Sequence, residues 1–233
     1  MSNPGQGNPG MDPEIFEQFI DQLRRYVRER LIPAEEDVIA NDAIPDDILA
    51  EMREMGLFGI TIPEEFGGAG MNISQYIETV KQLAYAAPAY RSTMSINVGM
   101  TGSAIKNFGT AEQKAHWLPR IASGEIACFG LTEPGSGSDS AAMQTFAARD
   151  GNGYVLNGTK RYITNSPHAK IGLIMARTSK EALPKNAHVS CFIIDMDSPG
   201  ISVGKPDKKM GQAGAHIADI IMEDVKIPGD ALV

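Results

Sequence analysis

The sequence predicts an α+β fold of two domains, an N-terminal α-helical domain followed by a small antiparallel β-barrel or sandwich. Three observations carry this. Up to about residue 125 the apolar residues recur at helical spacing behind recognisable caps. After Ile126 short apolar runs alternate with Gly and Asn turns. Helices come first and strands afterwards, without the alternating order of βαβ units, which separates the two kinds of structure into domains. A chain of 233 residues is long enough for two such domains. The boundaries read from the chain are 1–11 as a polar disordered lead, 12–125 as the helical domain and 126–233 as the β-domain, which carries the ligand motifs.

Each element has its own signal. Asp12 before Pro13 is an N-cap followed by proline at the first helical position, and Phe16, Ile20, Leu23 and Val27 then share one face. Pro45-Asp46-Asp47 opens a second helix through Ile48, Leu49 and Met52, which Gly56 ends. Ser74 is placed to cap a third, through Ile77, Val80 and Leu83. A fourth runs from about Ser92 to Asn107, and Thr110-x-x-Gln113 is a capping-box pattern leading a fifth toward Ile121. In the second half, Asp150-Gly151 and Asn157-Gly158 are hairpin dipeptides flanked by Phe146–Ala148 and Tyr154–Leu156. Runs at Ile171–Ala176, Val189–Ile194, Ile201–Val203 and Ile217–Met222 follow, and Ser179–Asn186 reads as a mobile hairpin loop.

Composition excludes several function classes. Hydrophobic residues make up 42% of the chain, enough for a substantial core. No run approaches the ~18 apolar residues of a membrane span. The first residues lack the basic and apolar regions of a signal peptide and the arginines of a transit peptide, so a cytoplasmic location is expected. Residues 1–125 hold 18 acidic and 10 basic side chains, while residues 126–233 hold 11 of each, so no basic stripe is available for nucleic acid. Cys128 and Cys191 stand in apolar, strand-like surroundings and read as free buried thiols of a reducing compartment.

Two motifs remain. Residues 129–138, Phe-Gly-Leu-Thr-Glu-Pro-Gly-Ser-Gly-Ser, followed by Asp139, bring a Thr from a short strand into a loop of small residues. Such a loop lets backbone N–H groups and hydroxyls approach a large polar ligand, because no side-chain bulk intervenes. It lacks the Lys of a P-loop and is not a G-x-G-x-x-G turn. The second motif is Lys160-Arg161-Tyr162-Ile163-Thr164-Asn165, in which Tyr162 and Thr164, two apart on a strand, point to one side of the sheet.

In that order and separation the two segments resemble the acyl-CoA dehydrogenase family, whose usual forms are V-T-E-P-G-A-G-S-D and W-I-T-N. Further blocks agree in sequence order. They are Gly56–Ile60 with Glu64–Gly68, Gly109-Thr110 with Trp117-Leu118-Pro119 and Gly124-Glu125, and Met222–Pro228. The resemblance runs from about residue 12 to Val233 and implies a flavin adenine dinucleotide (FAD) enzyme that dehydrogenates acyl-CoA thioesters. By that resemblance Phe129, Leu131, Thr132, Gly137, Ser138, Tyr162, Ile163 and Thr164 belong to the cofactor site. Leu131-Thr132 meets the flavin pyrimidine edge, Thr164 reaches N5, Tyr162 packs on the ring and Ser138 also contacts the acyl-CoA thread. The resemblance further implies an electron-transfer flavoprotein as electron acceptor and a homo-oligomer.

The sequence departs from the family pattern in three places. Tyr162 replaces the usual Trp, and Ala213 and Ala215 stand where family members often carry Arg and a hydroxyl residue. Family members are longer, three-domain chains whose proton-abstracting Glu lies in a C-terminal helical domain. None of Glu64, Glu65, Glu125 or Glu133 matches it, and Glu133 reads as a structural carboxylate of the loop. No catalytic residue is therefore assigned here. The chain reads as a partial, by itself inactive, acyl-CoA dehydrogenase. A naturally short subunit and a non-catalytic acyl-CoA- or protein-binding module that needs a partner chain are the alternatives. His116, His168 and His188 have no partners at metal-ligand spacing and His216 stands alone on a Gly-rich turn, so no metal site is expected.

Overall fold

The computed structural model describes residues 8–181 and 183–233. The chain divides into two compact units, one of residues up to Glu125 together with Lys209–Ala215, the other of Ile126–Lys208 with His216–Val233. The first unit thus takes a short segment, 209–215, from within the stretch read as β-domain. Gly214, at φ +81° where only glycine is unstrained, donates its N–H to Asp42 Oδ1 at 2.8 Å there.

The first unit is helical. Its helices are α1 (Pro13–Tyr26), α2 (Glu35–Asn41), α3 (Asp46–Glu54), α4 (Ile73–Leu83), α5 (Pro88–Ser95), α6 (Ser103–Phe108) and α7 (Ala111–Ala122). Asp12 caps α1 by accepting from Glu14 N and Ile15 N. Its apolar face buries Ile20 and Leu23 and continues into Val27 and Leu31 through a π-helical turn. The expected capping box at Thr110 and Gln113 is present on α7. On α4 the cap is Asn72, not Ser74, because Asn72 and Gln75 satisfy each other's backbone N–H groups and start the helix two residues earlier. The expected fourth helix is divided into α5 and α6 by a π-helical stretch, Ile96–Gly102. α2 had no sequence signal assigned to it.

Residues 1–7 of the expected disordered lead lie outside the described residues. Residues 8–11 are ordered, which corrects that part of the expectation. Asn8 Nδ2 donates to Thr61 O at 2.8 Å and Met71 O at 3.0 Å, and the Gln75 amide bridges the N–H and C=O of Met11.

The second unit is a curled seven-stranded sheet of β1 (Ala127–Gly130), β2 (Phe146–Asp150), β3 (Gly153–Thr164), β4 (Ile171–Arg177), β5 (Val189–Asp195), β6 (Ile201–Val203) and β7 (Ile217–Ile227). The order is β1-β4-β2-β3-β7-β6, with β5 also on β4. The sheet is mixed rather than antiparallel throughout, since β1 runs parallel to β4 from Ala127↔Ile171 to Gly130↔Ile174 and β2 meets β4 in parallel at Phe146↔Arg177. Leu156, Ile174, Phe192, Ile220, Met222 and Val225 form its core. Ile171, Leu173 and Ile174 are all buried, and β4 has a hydrogen-bonded neighbour on each edge. The Ser179–Asn186 segment joins antiparallel β4 and β5 and contains a 3₁₀ turn at Pro184–Asn186. Among the described residues no helix is long and apolar enough to cross a membrane.

Candidate functional site

The Gly-Ser loop and the end of β3 are fastened together. Arg161 N donates to Thr132 O at 2.8 Å, and Lys160 Nζ donates to Leu131 O at 3.1 Å and to Glu133 Oε1 at 2.7 Å. The Lys160 and Glu133 side chains are 0% and 4% exposed. Glu133 also accepts from the backbone N–H groups of Thr145, at 2.9 Å, and Gln144. Burial raises the Glu133 carboxyl, but the hydrogen bonds from Gln144, Lys160 and Thr145 outweigh it and hold the carboxyl below its usual range. Burial lowers the Lys160 ammonium, and Glu133 opposes that shift. Glu133 is therefore the structural carboxylate that its neighbours implied, and Lys160 is the partner that sequence reading missed. No pattern links two residues 27 apart on different elements.

The loop beyond Glu133 is open. Glu133 and Ser136 close a tight turn by exchanging backbone hydrogen bonds, and Ser136 Oγ donates to Asp139 O at 2.9 Å. Gly135, Gly137 and Ser138 are exposed. A Cβ on Gly135 or Gly137 would meet no atom within 4 Å, and neither residue has a left-handed backbone. Neither packing nor strain therefore requires glycine there. Gly130 differs, because a Cβ there would lie 2.8 Å from Ile174 Cδ1 and 3.1 Å from Lys160 Cγ.

A β-bulge shapes the end of β3. Lys160 pairs with Ile220 and Ile163 with Ala218, so three steps on β3 face two on β7. The extra residue puts Tyr162 at φ +58°. It also places both Arg161 and Tyr162 off the core side, while Lys160 and Ile163 are buried. Tyr162 is 58% exposed and Thr164 half-buried. Asp219 holds the bulge, its Oδ2 pairing with Arg161 at 2.9 Å and its Oδ1 accepting from Tyr162 N at 3.4 Å. The Arg161 guanidinium lies 4.6 Å from the Tyr162 ring centroid, a cation–π contact. The Arg161 N–H to Thr132 O bond thus ties the loop to the β3 segment that carries Tyr162 and Thr164, and Phe129, Leu131 and Thr132 are half-buried. Ile163 presents its side chain to the core and only its backbone to the patch.

The histidines correct an expectation. His168 and His216 are not isolated, since His168 Nε2 lies 2.6 Å from His216 Nδ1. Neither cysteine forms a disulfide, and burial pushes each thiol up to about 12. Neither is a nucleophile near neutral pH.

Comparison with known proteins agrees with this architecture. Residues 13–125 match the acyl-CoA dehydrogenase N-terminal domain and residues 128–225 the acyl-CoA dehydrogenase middle domain. The chain belongs to the acyl-CoA dehydrogenase family. The mitochondrial short-chain specific acyl-CoA dehydrogenase of Homo sapiens is 33% identical over 222 residues, covering 95% of this chain and 53% of that protein. Butyryl-CoA dehydrogenase from Megasphaera elsdenii superposes with a TM-score of 0.87 at 29% identity, over 95% of this chain and 58% of that one. A glutaryl-CoA dehydrogenase from Mycobacterium smegmatis, solved in complex with FADH2, gives 0.85 at 30%, over 95% and 55%. The chain spans about half the length of the curated relatives it matches.

Proposed function

We propose that residues 129–138 and 162–164 form one wall of an FAD site, in a protein that dehydrogenates acyl-CoA thioesters. The observation that carries this reading is the unexplained pair Gly135 and Gly137. Both are glycine with no conformational or packing reason, on an exposed loop whose base is anchored by a buried ion pair. A ligand that must approach the backbone closely supplies the missing reason. When bound, the flavin supplies the acceptor for the hydride leaving the acyl β-carbon.

The chain's own residues bind and orient. Thr132 offers a hydroxyl and its N–H at the anchored edge of the loop, and Tyr162 offers an exposed aromatic face held by Arg161 and Asp219. Thr164 offers a hydroxyl beside it, to a flavin N5 in this reading. Ser138, exposed beside Gly137, is placed for the polar acyl-CoA thread. The α-proton requires a base, and Glu133 and Glu125 are otherwise engaged. Glu133 is committed to Lys160 and two backbone N–H groups, and Glu125 accepts two hydrogen bonds from Arg120. The base in this proposal is not contributed by residues 1–233, so these residues alone are inactive. A cytoplasmic homo-oligomer that passes electrons to an electron-transfer flavoprotein completes the reading.

Flavin titration tests it, followed by fluorescence quenching, in a polypeptide that includes residues 1–233. Gly137→Val and Tyr162→Ala are expected to weaken FAD binding while circular dichroism stays unchanged. Parental affinity in both variants would overturn the assignment.

A further inference from the structure

Past the end of the β3–β7 ladder the fold brings two histidines face to face. Thr164 pairs with Ile217, so the residues next along each strand, Asn165 and His216, also meet, and Asn165 N donates to His216 O at 2.9 Å. The chain then turns on itself. His168 N donates to Asn165 O at 2.9 Å, Asn165 adopts φ +69°, and its amide donates to Ala127 O at 3.2 Å. Ser166 Oγ donates to Ile163 O at 2.8 Å and Ala218 O at 3.0 Å. The backbone beneath both rings is therefore fixed. The ring centroids lie 4.9 Å apart, with planes inclined by 33°. His168 is exposed and His216 half-buried.

Two facing imidazole nitrogens at 2.6 Å cannot both carry protons without severe repulsion. In a neutral pair one facing nitrogen carries the shared proton and the other a lone pair, and a bound metal ion takes the place of that proton.

We propose that His168 and His216 form a surface site for a divalent transition-metal ion of the copper–zinc class, with water completing the coordination. Two nitrogens on a tetrahedral ion at ~2.05 Å lie about 3.3 Å apart, so the rings need to part by only roughly 0.7 Å. Exposed His168 takes up that movement while its backbone stays in place. Among the described residues no third His, Cys, Asp or Glu completes a ligand group, so the site is open and exchangeable and not a structural zinc centre. Imidazole donors select copper over zinc and reject magnesium and calcium, which require oxygen ligands. The proposal is independent of the flavin reading.

Isothermal titration of CuCl2 and of ZnCl2 into the metal-free 233-residue chain, in a non-coordinating buffer, tests it. One equivalent of copper is expected to bind, more tightly than zinc. His168→Gln and His216→Gln are each expected to weaken binding about tenfold or more, and exposed His116→Gln is expected to change nothing. Electron paramagnetic resonance of the unaltered chain with one equivalent of copper is expected to show coupling to two imidazole nitrogens. That measurement does not depend on how the variants fold. A chain that binds neither ion, an affinity unaffected by either substitution, or a copper spectrum without imidazole coupling would overturn the site.

Discussion

The two units differ in one ion pair, because the sheet unit buries Lys160–Glu133 while its other described pairs, like those of the helical unit, stay at least partly exposed. Each ion pair described in the helical unit leaves 25% or more of both side chains exposed, from Arg24–Asp21 to Arg120–Glu125. Such pairs contribute little to stability, at most about 1 kcal/mol. The helical unit rests instead on apolar stripes such as Ile20, Leu23, Val27 and Leu31, and on side-chain caps. The sheet unit buries Lys160 against Glu133 at the base of the Gly-Ser loop and bends β3 through a left-handed Tyr162. A buried pair is an expensive way to stabilise a fold, because desolvation takes back most of the Coulomb attraction. Here it fixes a loop in one position. The buried ion pair and the left-handed Tyr162 both lie where we place the ligand.

The largest test of this contrast is Lys160→Met, which leaves Glu133 buried without its cation. A loss of about 3–5 kcal/mol is expected by urea denaturation, and Lys160→Met with Glu133→Leu should recover most of it. The same pair has a pH signature. Because the folded Glu133 carboxyl is held low, its stabilisation is present above the unfolded value of about 4.3 and lost as pH falls through the folded value. Glu133→Gln should therefore be less stable than the parent near pH 7 and show a shallower decline on acidification. A parent-like acid profile would separate the pair from the acid response.

Leu23→Ala, at a fully buried position of α1, is expected to cost about 2–5 kcal/mol through the cavity it leaves. Its effect should be independent of pH, unlike that at Glu133. Thr164→Val sharpens the contrast from the ligand side. In a flavin-loaded protein that includes these residues, it should slow stopped-flow flavin reduction by about 1.5–3 kcal/mol in barrier with little change in stability. A rate within experimental error of the parent would remove Thr164 from the site. The smallest effect concerns caps. Asn72→Ala should cost about 1 kcal/mol and Ser74→Ala only a few tenths, measured by thermal unfolding.

Much of the fold was legible because it is written in short-range patterns. The Asp12 and Thr110 caps, the stripe on α1 and the runs that became β2, β4, β5, β6 and β7 all depend on neighbours within one or two turns. The Asn72 cap was misread by two residues because Asn and Ser are both good caps and only Gln75 decides between them. α2 was missed because its seven residues bury only Val38 and therefore show no stripe. Of the candidate site, the loop and the Tyr162–Thr164 motif were visible in the sequence. Lys160, Arg161 and Asp219, which hold them in place, were not.

The sequence alone determined the order of helices and strands, the division near residue 125, and the presence of a small-residue loop followed by an aromatic–Thr motif. These follow from periodicity and local propensity, which act within a few residues. Only the tertiary structure decided that Lys160 neutralises Glu133, that a bulge turns Tyr162 outward, and that 209–215 packs with the helices. It also decided that β1 runs parallel to β4 and that His168 meets His216. The reason is common to all five. Each depends on partners tens of residues apart, whose meeting is set by strand register and unit packing, and no local pattern encodes a register between distant strands.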